Sequence, residues 1–457
     1  SSIFRSIDEQ SGGYRDLHKG ARLWSRVARH VRSTGTWVEP IEAGRALPKD
    51  EIVLHLRSNS RWNQRNSEKH HSPAGFRTSQ EVDIHMDFGL TETQELIRRS
   101  AREFLKDQSD SETIRSVASG NYDALENLWK KTIELGWPGL VIPEEFGGAG
   151  FSFGDLAVLL EELGATLAPV PIVESAITSW IIERYGSESI KSEILPQISS
   201  GDILLTPSIV ERNGSWDTSS TTVAATKSGP NVVITGEKRF VAFAQQATHS
   251  LTTIRMDDGE PALIAIPIWK AEGVHQTPVD HASGVPVSSI TFNEVVVPEA
   301  NIVATGEKAV KAIQELVSAG SVARAAQLAG LGRAVLDATV SYTTNREQFG
   351  RPVGTFQAVQ HHLAEMAIAA KQVSHLAHSA AWSFSREGYS YERAAQAKIA
   401  ASEKISSLCW TAHQCHGAIG FTWEHDLHLY TRRALAWKTD YGDAGFHKSN
   451  LADAMGL

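Results

Sequence analysis

Residues 345–366, NREQFGRPVGTFQAVQHHLAEM, hold the segment with the clearest chemical content. Arg346 stands at the end of one helical pattern, Phe349, Gly350 and Pro352 make a turn, and Gln357 opens the next amphipathic stretch. Such spacing puts a guanidinium and a helix N-terminus at one corner. Both favour a bound diphosphate, the first by paired hydrogen bonds and the second by free backbone N–H groups. A plain helical hairpin in which Arg346 caps carbonyl groups is the other reading of the same spacing. His413, Cys415 and His416 are potential metal ligands. Near-neighbours on a helix point apart, however, and no partner cluster occurs elsewhere, so no metal site is expected. No GxGxxG follows a strand, and there is no Walker loop, HExxH or GxSxG. Phosphoryl transfer, Rossmann binding and serine hydrolysis therefore lack their signatures.

The elements that must position this corner follow from patterning. Of 457 residues, 41% are apolar, 21% are charged and 35 are glycine, which is globular composition with room for two or three domains. The longest uncharged apolar run, Pro261 to Trp269, is far short of a bilayer crossing, so a soluble protein is expected, with no membrane association. Only Cys409 and Cys415 are present, so no disulfide framework supports the fold and a reducing compartment suits it. Residues 1–85 carry 14 Lys and Arg against 10 Asp and Glu, while the remainder carries 30 against 43. An acidic body argues against a nucleic-acid partner.

Residues 1–85 contain no Met and no sustained period, and Met86 is the first methionine. This stretch reads as an extension outside the fold, poorly ordered. It is either an Arg-rich targeting segment or upstream nucleotide sequence translated ahead of Met86; the latter is preferred because targeting peptides are shorter and begin with Met. From Thr91, a capping-box start leads into a surface helix. Helical patterns also cover Ala124 to Gly136 and Phe153 to Gly164, interrupted by Pro138, Pro143 and the Gly147–Gly150 cluster. Between about Ile203 and Val303, short β-branched runs (Val232–Ile234, Leu263–Ile266, Ser289–Phe292, Val295–Val297) predict an antiparallel β module. After Gly306 the chain returns to long Ala-rich helices, with Leu328, Leu331 and Val335 on one face, Phe356, Val359, Leu363 and Met366 on the next, and a third helix from Tyr391 to Gln414. The fold class is α+β, mostly α: an N-terminal α domain (86–200), a middle β domain (201–303) and a four-helix-bundle-like C-terminal domain (304–457).

The corner resembles the helix corner of the acyl-CoA dehydrogenase family, and four further segments resemble that family in the same order. Trp137 to Gly150, followed by Glu161-Glu162-Leu163-Gly164, is similar to its proline, double-acid, double-glycine turn. Gly236 to Val241 resembles the flavin-facing strand, and Phe292 to Pro298 the strand leading into the last bundle. Gln414 to Phe421 resembles the Q-x-x-G-G-x-G-F/Y turn, with Ala418 at a position commonly Gly.

The resemblance implies a cytoplasmic bacterial flavoprotein of lipid metabolism, in fatty-acid or sterol side-chain degradation. It would bind FAD across a subunit interface of a tetramer, act on an acyl-CoA, and pass electrons to an electron-transferring flavoprotein. It further implies that Arg346 binds the FAD diphosphate of a neighbouring subunit, with Phe349 beside it and Gln357 facing the adenosine. Gln414, Gly417, Ala418 and Gly420 would approach the cofactor with their backbone, and Phe240 and Val241 would lie against the isoalloxazine. The family places its catalytic glutamate in one of two positions, which here hold Tyr441 and Gly320. No catalytic residue is therefore assigned; Asp440 or Asp443 would need a shifted loop, and a solvated turn is the other reading of both. Trp423 to Asp426 is similar to a bacterial branch in which some members form α2β2 assemblies with one subunit lacking the glutamate. The family's T-E-P-x-A-G-S-D flavin loop is replaced here by Pro207 to Ser215.

Overall fold

The computed structural model describes residues 89–386 and 388–456, so the extension read at 1–85 lies outside the described residues. Helix α1 (Glu92–Gln108) begins at a reciprocal capping box: the Gln94 N–H donates to Thr91 Oγ1 at 3.2 Å and the Thr91 N–H to Gln94 Oε1 at 3.1 Å. Ile97, Ala101 and Leu105, four residues apart, form its buried stripe. Helices α2 (Ser111–Ala118), α3 (Asp123–Glu134), α4 (Phe153–Ala165), α5 (Ile172–Tyr185) and α6 (Glu188–Ser200) complete the N-terminal α region. The turn between α3 and α4 folds tightly because a Cβ on Gly148 would stand 2.0 Å from the Ile142 carbonyl oxygen.

Eight strands follow: β1 (Leu205–Ser208), β2 (Ala224–Ser228), β3 (Asn231–Ala242), β4 (His249–Met256), β5 (Pro261–Pro267), β6 (Val274–Pro278), β7 (Val287–Pro298) and β8 (Ile302–Thr305). Their order in the sheet is β6-β7-β3-β2-β4-β5-β8, with β1 also paired to β4. The expectation of an antiparallel module needs one correction, because β4 runs parallel to both β1 and β2. Parallel neighbours need a crossover connection. Between β2 and β4, β3 and the turn that follows it serve as that connection. The β3–β7 pairing shifts register between Lys238 and Val241, and this bulge extrudes Arg239 and Phe240 from the ladder.

Three long helices make the C-terminal bundle: α7 (Gly306–Asn345), α8 (Gln357–Arg386) and α9 (Tyr391–His416), followed by α10 (Leu427–Trp437) and α11 (Ala444–Ala454). Helices α4 and α7 cross at two glycines. A Cβ on Gly164 would lie 1.9 Å from the Gln327 carbonyl oxygen and one on Gly330 1.7 Å from that of Glu161. Around this crossing, Glu162 takes hydrogen bonds from Arg102 (3.0 and 3.1 Å) and Arg333 (2.9 and 3.0 Å), while Glu161 pairs with His378 at 2.7 Å. These pairs tie α1, α4, α7 and α8 into one block. Leu328, Leu331, Val335 and Met366 are buried, as their spacing predicts.

Candidate functional site

At the far end of α7, the Arg346 N–H donates to the Tyr342 carbonyl at 2.8 Å, and the Arg346 carbonyl accepts from Val353 N–H at 2.8 Å. The backbone thus caps the helix. The exposed guanidinium has no hydrogen-bond or ion-pair partner among the described residues. Glu347–Gln348 and Arg351–Pro352 pair as a minimal hairpin whose two loop residues, Phe349 and Gly350, have φ of +55° and +76°. Two positive φ values are what a two-residue loop needs to match strand twist. Phe349 accepts that strained geometry and presents its ring to solvent, 90% exposed. Helix α8 then starts at Gln357 with no acidic residue in its first turn, leaving the positive end of its dipole uncompensated.

The glycine turn comes to the same corner. Tyr342 stacks on His416 with ring centroids 4.4 Å apart, and its hydroxyl donates to the His416 carbonyl at 3.3 Å. Gln414, Gly417 and Ala418 are exposed; Gly417 has φ +67° and ψ −148°, a conformation that suits glycine. Gly420 is buried, since a Cβ there would stand 3.1 Å from His413 Nδ1. His413 and His416 are held neutral, burial lowering both below the ordinary imidazole value. The corner therefore brings together Arg346, Phe349, Gln357, Gln414, Gly417, Ala418 and Gly420.

Phe240 and Val241 stand elsewhere, on the β3 bulge. Phe240, at φ +56° and 52% exposed, lines a narrow cleft of about 60 Å³ with Thr206, His281, Arg324, Asp440 and Tyr441. Val241 points into the β core, so its main chain alone is available to a ligand. Arg324 and the end of α7 at Asn345 are separated by roughly 30 Å of helix at 1.5 Å per residue. Corner and cleft of one chain are therefore too far apart to hold the same dinucleotide.

The cleft floor is ionic. Arg324 donates to Glu174 Oε1 at 2.6 Å and to Asp440 Oδ2 at 3.0 Å, and its guanidinium lies over the rings of Trp437 and Tyr441. Burial raises the Glu174 carboxyl above its ordinary value even though Arg324 opposes the shift. Tyr441 is 4% exposed, and burial, reinforced by Glu174, lifts its phenol well above the usual value, so it stays protonated. The two positions read as alternative sites for a glutamate touch each other: a Cβ on Gly320 would stand 2.4 Å from the Tyr441 ring. Asp443 caps α11 by accepting the Phe446 N–H at 2.8 Å, which explains its place in the loop. Below the sheet, Glu211 accepts from Thr222 and Val223 N–H and from Lys238 Nζ at 2.7 Å. This staples the 207–215 segment to β3. Burial lowers Lys238 to about 8.

A family model described as acyl-CoA dehydrogenase, N-terminal domain, matches residues 91–202, and one described as acyl-CoA dehydrogenase, C-terminal domain, matches residues 310–456. The chain belongs to the acyl-CoA dehydrogenase family. Family members bind FAD and are oxidoreductases acting on acyl-CoA. "Probable acyl-CoA dehydrogenase YngJ" of Bacillus subtilis is 29% identical over 377 residues, spanning 80% of this chain and 99% of that relative. Among solved structures, a variant of the Tcur3481-Tcur3483 steroid ACAD is 28% identical with a TM-score of 0.72, covering 80% of this chain and 98% of its own. The ChsE4-ChsE5 complex from Mycobacterium tuberculosis is 25% identical with a TM-score of 0.73, covering 81% and 99%. The free guanidinium, the open glycine turn and the uncapped start of α8 fit the diphosphate of such a cofactor.

Sequence reasoning missed Arg324, Glu174, Trp216 and His447. Arg324 had a signal: a lone cation in an Ala-rich run, four residues and one helical turn beyond Gly320. Among the described residues no group of His, Cys, Asp or Glu is placed to hold a metal, and no helix is long and apolar enough to cross a membrane.

Proposed function

We propose that this chain serves FAD-dependent α,β-dehydrogenation of an acyl-CoA thioester as the flavin-completing subunit of a heteromeric assembly. A homologous partner would supply the carboxylate base, and electrons would leave to an electron-transferring flavoprotein in the bacterial cytoplasm. The observation that carries this reading is the seating of the Tyr441 ring on Gly320, which leaves a phenol and a bare glycine where the family offers a glutamate. Removing an α-proton from a thioester needs a base matched to the task. A phenol held protonated by burial does not provide one at neutral pH.

When bound, the flavin supplies the hydride acceptor. This chain's contribution is grip and shelter. Arg346 would neutralise a diphosphate reaching in from the partner, Gln357 and Gln414 would hydrogen-bond around it, and Gly417 would let main chain approach closely. The roughly 30 Å of α7 between cleft and corner supports a grip in trans. One structural relative is a two-chain complex, which is consistent with this assembly.

The test is co-expression with a homologous subunit that retains a glutamate, followed by anaerobic addition of acyl-CoA thioesters. Flavin bleaching is expected with the pair and not with this chain alone. Bleaching by this chain alone would contradict the proposal and favour a second reading, in which Asp440 is the base of a self-sufficient enzyme. Asp440 does line the cleft beside Phe240, although its Oδ2 is already occupied by Arg324.

A further inference from the structure

Tyr441 occupies a sparsely populated backbone conformation, φ +57°, and the surrounding structure holds it there from every side. Its carbonyl accepts from Ser321 Oγ at 3.0 Å and lies 2.9 Å from His447 Nε2. One face of its ring fills the space above Gly320, and Arg324 stands over the ring at 5.8 Å. The Trp216 ring packs beside it, centroids 5.2 Å apart.

Trp216 also lines a second cavity of about 380 Å³, enclosed by Ile313, Val317, Tyr389, Tyr391 and Phe446, which opens on the other side of the tryptophan. The inner cleft beside Phe240, by contrast, has space for only about 60 Å³. A closed loop whose strained backbone is held by several contacts does not behave as a hinge. Among the described residues the Tyr441 hydroxyl has no hydrogen-bond partner, so the ring's volume is what the fold uses.

We infer that Tyr441 is a fixed partition that separates the outer cavity from the flavin-facing cleft, barring acyl thioesters from this protomer's own slot. The inference deepens the dehydrogenase reading and rests on it, because it names what decides which protomer takes substrate. Tyr441 acts by volume, as a specificity-determining residue, and its phenol takes no part in proton transfer. Removing the ring joins the two cavities into one channel with Gly320 at its waist.

The experiment is calorimetric titration of butyryl-CoA into the full chain, with any subunits that accompany it, counting thioester sites per copy of this chain. Tyr441→Ala is expected to add one site per copy, and Tyr441→Phe to leave the count at the wild-type value. An equal count in wild type and Tyr441→Ala, with flavin retained in both, would overturn the partition while leaving the family reading intact. If Tyr441→Ala does not fold, Tyr441→Phe still decides: a fall in the rate of flavin bleaching would give the phenol a chemical role and overturn the inference, and an unchanged rate supports it. Loss of flavin from every form, wild type included, would instead strike the parent reading.

Discussion

The bundle corner and the inner cleft lie at opposite stretches of the same helix and are built on opposite principles. At the corner, Arg346 has an unengaged guanidinium, Phe349 exposes nearly its whole ring, and Gly417 leaves its backbone open. At the cleft, Arg324 is bound by two carboxylates and two aromatic faces, and Tyr441 is seated on a glycine with its carbonyl twice engaged. A surface that leaves polar groups and apolar area unsatisfied is prepared for a ligand or a partner. One whose groups are satisfied within the chain has been closed. A protein can thus retain half of an inherited binding site and seal the other half without altering its fold.

The contrast breaks most severely at Arg324. Arg324→Ala leaves Glu174 buried without its cation, and removing one partner of a buried pair costs about 3–5 kcal/mol. Chemical denaturation should show that loss, and a change within error would mean that the cleft floor is not the closed network described. Next comes Gly320→Ala. Its Cβ would press on the Tyr441 ring, an overpacking cost of about 1–3 kcal/mol. Adding Tyr441→Ala should recover most of that loss, because the contact is specific to the pair; an unrelieved loss would place the strain elsewhere.

The third effect depends on pH. Burial lowers His447 to about 4 from an ordinary 6.5, with Lys398 adding to the shift. The folded state therefore binds fewer protons than the unfolded chain between those values. Its stability contribution is intact above pH 6.5 and falls as the pH drops toward 4. In His447→Asn, the slope of stability against pH across this window should flatten. A slope equal to that of wild type would show that another group governs it. The smallest stability effect belongs to the corner: Arg346→Ala should change folding stability by less than about 0.5 kcal/mol, as for surface substitutions away from packed features. A larger loss would make Arg346 a structural cap after all.

Much of the corner was legible in the sequence because its information is local. The Gly417 and Gly420 turn and the helix starting at Gln357 each declare themselves within a few residues, as does the Thr91 capping box at the other end of the fold. The cleft was not legible for the converse reason. Tyr441 and Gly320 are far apart in the chain, and each reads alone as a missing glutamate; only the fold shows that one residue fills the space left by the other. The parallel pairing of β4 with β1 and β2 was likewise hidden, since β-branched runs report strands but not their neighbours. Asp443 shows the limit of reading a carboxylate by position, because its role is to cap α11.

Every functional conclusion drawn for the corner requires the partner-facing guanidinium of Arg346 to grip the cofactor's diphosphate. Flavin content per chain, read from the absorbance of purified wild type and Arg346→Ala alongside their unfolding curves, puts that grip to the test. The expected outcome is a yellow wild-type assembly and a variant that folds normally but has lost most of its FAD. A variant that unfolds like wild type and keeps its full complement of flavin would contradict it.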